Sequence, residues 1–463
     1  MEQININNKS SQRIGAFALT MIAIGAIVTV RAIPEIAVYG EACILTIIMA
    51  SLIFMIPLTI SCLELSIAYP KGGGMYTWAK ETINVKVGFF EAYLELAANS
   101  IVSVIVICFI CSNILYLINP SLSTDQNIVF VFGSILFIIV TYINCKGLKI
   151  SALMSSICAV LGVLIPMTAI IIAGLYTFIM DSSVLNFSMS NLVPALRTFD
   201  YWTSLTSVVL GLSGVEVIVV HVRNVINVKR DYTIALITLA IMAGVCYIMA
   251  SLSVAAIVPK EKILFAAGVS QVINIFFNNI GMGYMAPIVV ILTCIGALGA
   301  LNSWTISTIK SLWIAAEDGS CHKIFAKTNE NGAPITLLIS QLALVIIILG
   351  LITFSPTFND SFWILTVLCS QNSILVYLIV FYAHSKHITS NEKTNIIYKT
   401  IKFVSIILGI SICLFTFFIG FLPNPIISLA QNKPLYFMIV LIGLILSWLP
   451  VIPLYLSGKN NNK

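Results

Sequence analysis

The run AIGAIVTVRAIP, Ala23 to Pro34, lies inside the first long apolar segment and does not read as a continuous helix. Pro34 has no amide hydrogen and disfavours helix at Ile33 before it. Gly25 and the β-branched Val28, Thr29 and Val30 weaken the turns upstream. A break at Gly25–Val28 would leave the amides of Gly25, Ala26, Ile27 and Val28 at the N-terminus of a half-helix, which suits a carboxylate. A kinked packing helix is the alternative, and this run alone does not choose between them. A second run, VVLGLSGVEV from Val208 to Val217, carries Gly211 and Gly214 around Leu212 and Ser213. Glycine also serves close helix packing, so position carries the argument. The two runs lie in the first members of two five-span halves, and interrupted segments at matching places point to a transport site. Irregular backbone at membrane depth survives only where it lines a cavity.

The rest of the chain supports a bilayer as solvent. Its 463 residues are 59% hydrophobic and only 9% charged, with a mean hydropathy of +1.04. A soluble domain carries about 25% charged residues. That excludes disorder, a secreted disulfide scaffold, a nucleic-acid binder and an ordinary cytosolic enzyme. Windows of sufficient apolar length fall at 14–38, 42–68, 87–118, 127–145, 149–179, 201–222, 232–257, 286–315, 335–354, 360–383, 400–421 and 435–456. The expectation is an all-α polytopic membrane protein of twelve spans, the first uncleaved. Barrels are excluded because the runs are continuous instead of alternating.

Charge placement supports the count. With the N-terminus inside, the inner segments hold Lys9, Arg13, Lys71, Lys80, Lys86, Lys146, Lys149, Arg223, Lys229, Arg230, Lys310, Lys323, Lys327, Lys386, Lys393, Lys399, Lys402, Lys459 and Lys463. Only Arg31, Arg197, Lys260, Lys262 and Lys433 fall outside. The positive-inside rule then puts both termini in the cytoplasm of a cell-membrane protein. The gap 258–285 has room for a short helix over Phe265 to Asn278. The eleven cysteines are scattered through apolar runs. Cys108 and Cys111 form a lone CxxC with no second pair, short of a zinc site. No metal or cofactor is expected.

Three motifs follow in order: YPKGGGMYTWAKE (Tyr69 to Glu81), GVEVIVVHVRNVINVKRDY (Gly214 to Tyr232) and AAEDGSCHKIFAKTNENGAP (Ala315 to Pro334). With them, nearly the whole chain resembles the amino acid–polyamine–organocation superfamily, and within it the glutamate/GABA-antiporter-like permeases. That resemblance implies the inverted-repeat, leucine-transporter-like fold. Spans 1–5 (residues 1–179) and 6–10 (180–384) would be the repeats, with spans 11 and 12 and a short tail in 385–463. It implies transport of amino acids or their decarboxylation products, by exchange or proton coupling. The chain departs from the family pattern at Ile27, Val28 and Thr29, where many relatives have Gly-Ser-Gly, and at Asn224, Val228 and Thr233 after span 6.

Polar residues in the spans complete the candidate site. Glu95 follows Glu91 by one turn on one face of span 3, and Asn99 comes one turn later. A carboxylate in hydrocarbon is costly and should face a cavity. Glu95 is a candidate ligand for a substrate amine or a coupling proton; a structural hydrogen bond is the alternative. Glu91, nearer the inner end, reads as solvated. The resemblance makes Glu216 a coupling or gating carboxylate, with fixing of the broken helix as the alternative. It also makes Trp304 a residue that caps substrate, where an indole can stack on an amine; core packing is the alternative. Asn302 and Thr305 add polarity beside it. Arg31 reads as an outer gate with Glu35 or as an attractor of anionic substrate. Glu64 reads as one half of an ion pair with an inner cation, and His221 as solvated.

The expected substrate-binding set is therefore Gly25, Ala26, Ile27, Val28, Glu95, Asn99, Gly211, Leu212, Ser213, Gly214, Asn302 and Trp304. Glu95, Glu216 and Arg31 are the coupling or gating candidates. The expected partners are a small-molecule amino acid or amine, the lipid bilayer and protons, with no nucleic acid. The competing readings are a receptor or channel and a membrane-embedded enzyme. The four histidines form no recognisable catalytic pair with a nucleophile, and no phosphate-binding Walker loop is present.

Overall fold

The computed structural model describes residues 15–16, 19–20, 28–69, 74–146, 148–180, 183–185, 189–193, 199–215, 228–390 and 396–460. In chain order the helices are α1 (Ile33–Ala37), α2 (Gly40–Ala68), α3 (Gly74–Thr82), α4 (Val85–Ile118) and α5 (Gln126–Cys145). Next come α6 (Leu148–Ile179), α7 (Ser204–Gly211), α8 (Val228–Ile257), α9 (Gly268–Asn279) and α10 (Ala286–Glu317). The last are α11 (Ile335–Ile352), α12 (Phe358–Ser390), α13 (Ile396–Ile419) and α14 (Lys433–Trp448), which continues as α15 (Val451–Asn460).

Among the described residues, ten helical segments are long and apolar enough to cross a bilayer. Each falls on one of the twelve windows. The other two windows, 14–38 and 201–222, are described only in part, and there the helical pieces are short: α1 and α7. Ten, not twelve, is thus the number of full-length spans among these residues.

Local chemistry sets the ends. The Asn84 side chain accepts from the Val87 amide at 2.9 Å and starts α4. Asp125 Oδ1 accepts from the amides of Asn127 and Ile128 and starts α5. Such caps contribute about 1 kcal/mol each. In α2 a π turn over Ser51–Met55 precedes Pro57, which cannot donate to the carbonyl one turn back. The helix expected in the 258–285 gap forms as α9; Asn113 at the far end of α4 accepts from the Ser270 hydroxyl at 2.7 Å and holds it.

α4 and α12 form the centre, with 72% of the apolar window buried in each, against 17% for the last span. The outer helices show apolar side chains to lipid, among them Ile407, Leu408 and Phe418 on α13 and Ile445 and Leu446 on α14. α6 and α10 cross backbone to backbone. A Cβ on Gly162 would lie 2.2 Å from the Gly296 Cα, so both positions must be glycine.

Two of the sequence motifs meet on one side. Lys80 of α3 pairs with Asp318 at 2.7 Å, and the Tyr76 hydroxyl donates to the same carboxylate at 3.0 Å. Asn329 donates to the Cys145 carbonyl at 2.8 Å. The loop after α2 and the loop after α10 are therefore stitched together at one shared end of α4, α5 and α10.

Candidate functional site

Spans 1 and 6 meet at their interruptions. Thr29 is extended (φ −116, ψ 131), and helix begins only with a tight turn over Val30–Ala32 that leads into α1. α7 stops at Gly211, Leu212 forms a turn, and Gly214 takes φ +111, a conformation that side chains with a Cβ rarely adopt. The half-helix after the first break therefore points its amide end inward, and α7 points its carbonyl end inward.

Tyr247 of α8 joins the two breaks. Its hydroxyl accepts from the Thr29 amide at 3.1 Å and donates to the Gly211 carbonyl at 3.0 Å. One phenol thus satisfies a backbone donor and a backbone acceptor freed by the two interruptions. The Ser213 hydroxyl turns back onto the Leu210 carbonyl at 2.6 Å.

A central cavity opens beside these ends. Val28, Thr29, Arg31, Leu210, Gly211 and Ser213 line it from the broken spans; Glu95, Ala98, Asn99 and Val102 from α4; Gly296, Ala300 and Trp304 from α10; and Cys369, Ser373 and Tyr377 from α12. Its volume is about 70 Å³, on a scale where one water needs about 10–15 Å³. It is larger than a packing defect. Arg31 and Glu95 are each 7% exposed, so one cation and one carboxylate share a largely apolar chamber. Among the described residues no carboxylate lies within ion-pair distance of the Arg31 guanidinium.

Of the residues singled out in the sequence, Val28, Arg31, Glu95, Asn99, Gly211, Ser213 and Trp304 line this one cavity. Leu212 and Gly214 shape the turn beside it without lining it. Gly25, Ala26, Ile27, Glu216 and His221 lie outside the described residues.

Three readings need correction. Asn302 does not line the cavity; its Oδ1 accepts from Asn144 of α5 at 2.8 Å, a buried tie between two helices. Arg31 and Glu35 do not form a gate pair here. Glu35 is buried and its Oε1 accepts from Thr366 of α12 at 2.7 Å. Glu91 is fully buried, not solvated, because α3 folds over that end of α4 and the apolar cluster of Phe89 and Ala92 is covered by Val451, Leu454 and Tyr455. Glu64 does form an ion pair, with Lys402 at 2.7 Å.

Sequence reasoning missed Tyr247, Cys369, Ser373 and Tyr377. A phenol in the middle of an apolar span was a legible signal, since a buried hydroxyl needs a partner. The identity of that partner, 218 and 36 residues away, was not.

Comparison with known proteins gives a consistent result. The amino acid permease family matches residues 14–445. An uncharacterised transporter of Legionella pneumophila is 30% identical over 95% of this chain and 96% of its own. A glutamate/gamma-aminobutyrate antiporter of Lactococcus lactis is 26% identical over 99% of this chain and 92% of its own. Among solved structures, that of MhsT in complex with L-phenylalanine superposes with a TM-score of 0.58, covering 88% of this chain and 99% of MhsT at 14% identity. This likeness shows the leucine-transporter-like fold.

Proposed function

The chain belongs to the amino acid permease family, and from that premise we propose that it is a secondary transporter that exchanges amino acids through the central cavity by alternating access. The observation that carries the reading is the convergence of two interrupted spans, Arg31 and Glu95 on one chamber. Exchange is favoured by the likeness to the glutamate/gamma-aminobutyrate antiporters.

In this reading the substrate carboxylate sits at the amide end after the first break, within the field of Arg31. The amine sits between the carbonyl end of α7 and Glu95, and Trp304 covers it. Gly25, Ala26, Ile27, Leu212 and Gly214 give the breaks their shape, Asn99 adds a polar contact, and Glu216 serves the gate. Residues 1–179 and 180–384 act as the two inverted repeats, 385–463 as the accessory spans, and both termini face the cytoplasm.

The test is uptake into proteoliposomes from a panel of labelled amino acids and amines, with and without internal substrate. Exchange requires that uptake depend on internal substrate. Glu95→Gln keeps the shape and removes the charge. A hydrogen bond to a charged group contributes about 1.5–3 kcal/mol, so the apparent KM should rise about 10- to 100-fold, with normal insertion. An unchanged KM would remove Glu95 from the amine site.

A further inference from the structure

A second chamber lies at the opposite end of α2 from the Lys80–Asp318 pair. The end of α1, the first turn of α2, the segment after α6 and the end of α8 enclose it. Its volume is about 360 Å³, against about 70 Å³ for the central cavity. Small-molecule pockets run from roughly 300 to 1,000 Å³. The two share no lining residue among those described, and α4, α10 and α12, which wall the central cavity, contribute none to this one. Local chemistry builds it. Gly40 takes φ +54 and lets the chain turn between α1 and α2. The Val184 amide donates to the Ala256 carbonyl at 3.0 Å and pins the segment after α6 to the end of α8. The Tyr39 hydroxyl is tied to Thr203 at 2.8 Å, which fixes its ring, and Tyr201 stands edge to face with it at 6.1 Å between centroids.

Glu41, in the first turn of α2, lines this chamber and is only 8% exposed. Among the described residues its carboxylate has no hydrogen-bond donor and no cation within 4.0 Å. Lys260, exposed on the rim beside Glu261, does not pair with it. Nor does the side chain cap its own turn. The Ala42 amide donates to the Tyr39 carbonyl, and the Cys43 amide to the carbonyls of Gly40 and Glu41. A carboxylate held this deep without a partner is costly. It is repaid only by a cation that enters the chamber.

We propose that this chamber is a second binding site, separate from the transport cavity, which takes the ammonium group of a small organic amine on Glu41. The walls decide the class of cation. A divalent metal takes about six or more oxygen ligands. Here one buried carboxylate stands among two phenol rings and the aliphatic side chains of Val38, Leu185 and Val258. An ammonium donates its hydrogens to the carboxylate and draws on the faces of Tyr39 and Tyr201. The carbon stem of the amine then packs on the aliphatic wall and leaves water. In the orientation proposed above, the site lies at the outer face.

The test reads binding, so it stands apart from the transporter reading. The full-length protein in lipid nanodiscs is titrated calorimetrically with n-butylamine at about pH 7, where an alkylamine is charged like a lysine side chain. The uncharged n-butanol, of nearly the same shape, is the control. The wild type should bind the amine saturably and the alcohol far more weakly. Glu41→Gln should weaken amine binding about tenfold or more. Leu185→Trp, which adds bulk to the chamber wall and leaves its charge alone, should also weaken it, and decides the matter if Glu41→Gln does not fold. Glu95→Gln, in the central cavity, should keep the binding that Glu41→Gln loses. Repeating the Glu95→Gln titration with the transported amino acid present identifies the source of the amine. Displacement supports the site with the substrate's own ammonium as ligand, and no displacement supports it with a separate amine. Failure of the wild type to bind n-butylamine would overturn the proposal. So would equal binding of the alcohol, binding that survives both Glu41→Gln and Leu185→Trp, or binding lost only in Glu95→Gln. Absence of amino acid uptake would overturn the transporter reading and leave this site standing.

Discussion

Tyr247 illustrates how much a single side chain can carry in a low-dielectric setting. An amide and a carbonyl freed by two helix breaks would each cost about 1–3 kcal/mol if left unsatisfied in the interior. The phenol supplies both partners, from a third helix. Tyr247→Phe keeps the ring and removes both bonds. It should lower the melting temperature of the detergent-solubilised protein and reduce uptake, whereas Tyr142→Phe, at an exposed position on α5, should change neither. A Tyr247→Phe protein with wild-type melting and uptake would mean that water or other groups satisfy the breaks. The same scale explains Asn302. Its polarity was legible in the sequence, but its direction was not, since either face of α10 could have borne a buried amide. Asn144 took it. Glu91 was misread for a similar reason. Its distance from the end of α4 argued for water, and only the fold of α3 and α15 over that end buries it.

At the scale of elements, the interrupted spans matter most. A Cβ on Gly211 would already touch the Tyr247 ring at 3.4 Å and the Ala32 Cβ at 3.5 Å, which leaves little room for the further carbons of a leucine. At Gly214, with φ +111, any L side chain adds strain of about 1–2 kcal/mol. Gly211→Leu and Gly214→Leu should each abolish uptake while the protein still inserts and runs as a single species by size exclusion. Normal uptake by both would remove span 6 from the site. A weaker effect is expected where α3 meets the loop after α10. The Lys80–Asp318 pair is partly exposed, so Lys80→Met should cost only about 0–1 kcal/mol of stability. A larger loss in a thermal melt would show that the pair is shielded from solvent. Span 6 was readable because a glycine pair, Gly211 and Gly214, disrupts helix through backbone chemistry alone. The partner of each break was not, because it is set by packing between distant spans.

For the whole molecule, the solvent decides the architecture. With 9% charged residues the chain has no means to cover a water-facing surface, and each of the ten full-length spans among the described residues falls on an apolar window. Composition and periodicity gave no sign that α4 and α12 come to the centre, nor of close contacts such as Gly162 on Gly296, which join α6 and α10, far apart in sequence. The central claim is that an amino acid binds between the two breaks. The most direct measurement is a structure of the protein with the amino acid that it exchanges, as identified by the uptake panel. Density for that molecule should lie between Val28–Arg31 and Gly211–Ser213, with its amine toward Glu95 and its carboxylate toward the amide end of the first break. Density elsewhere, with the side chains around this cavity closed onto one another, would contradict the account.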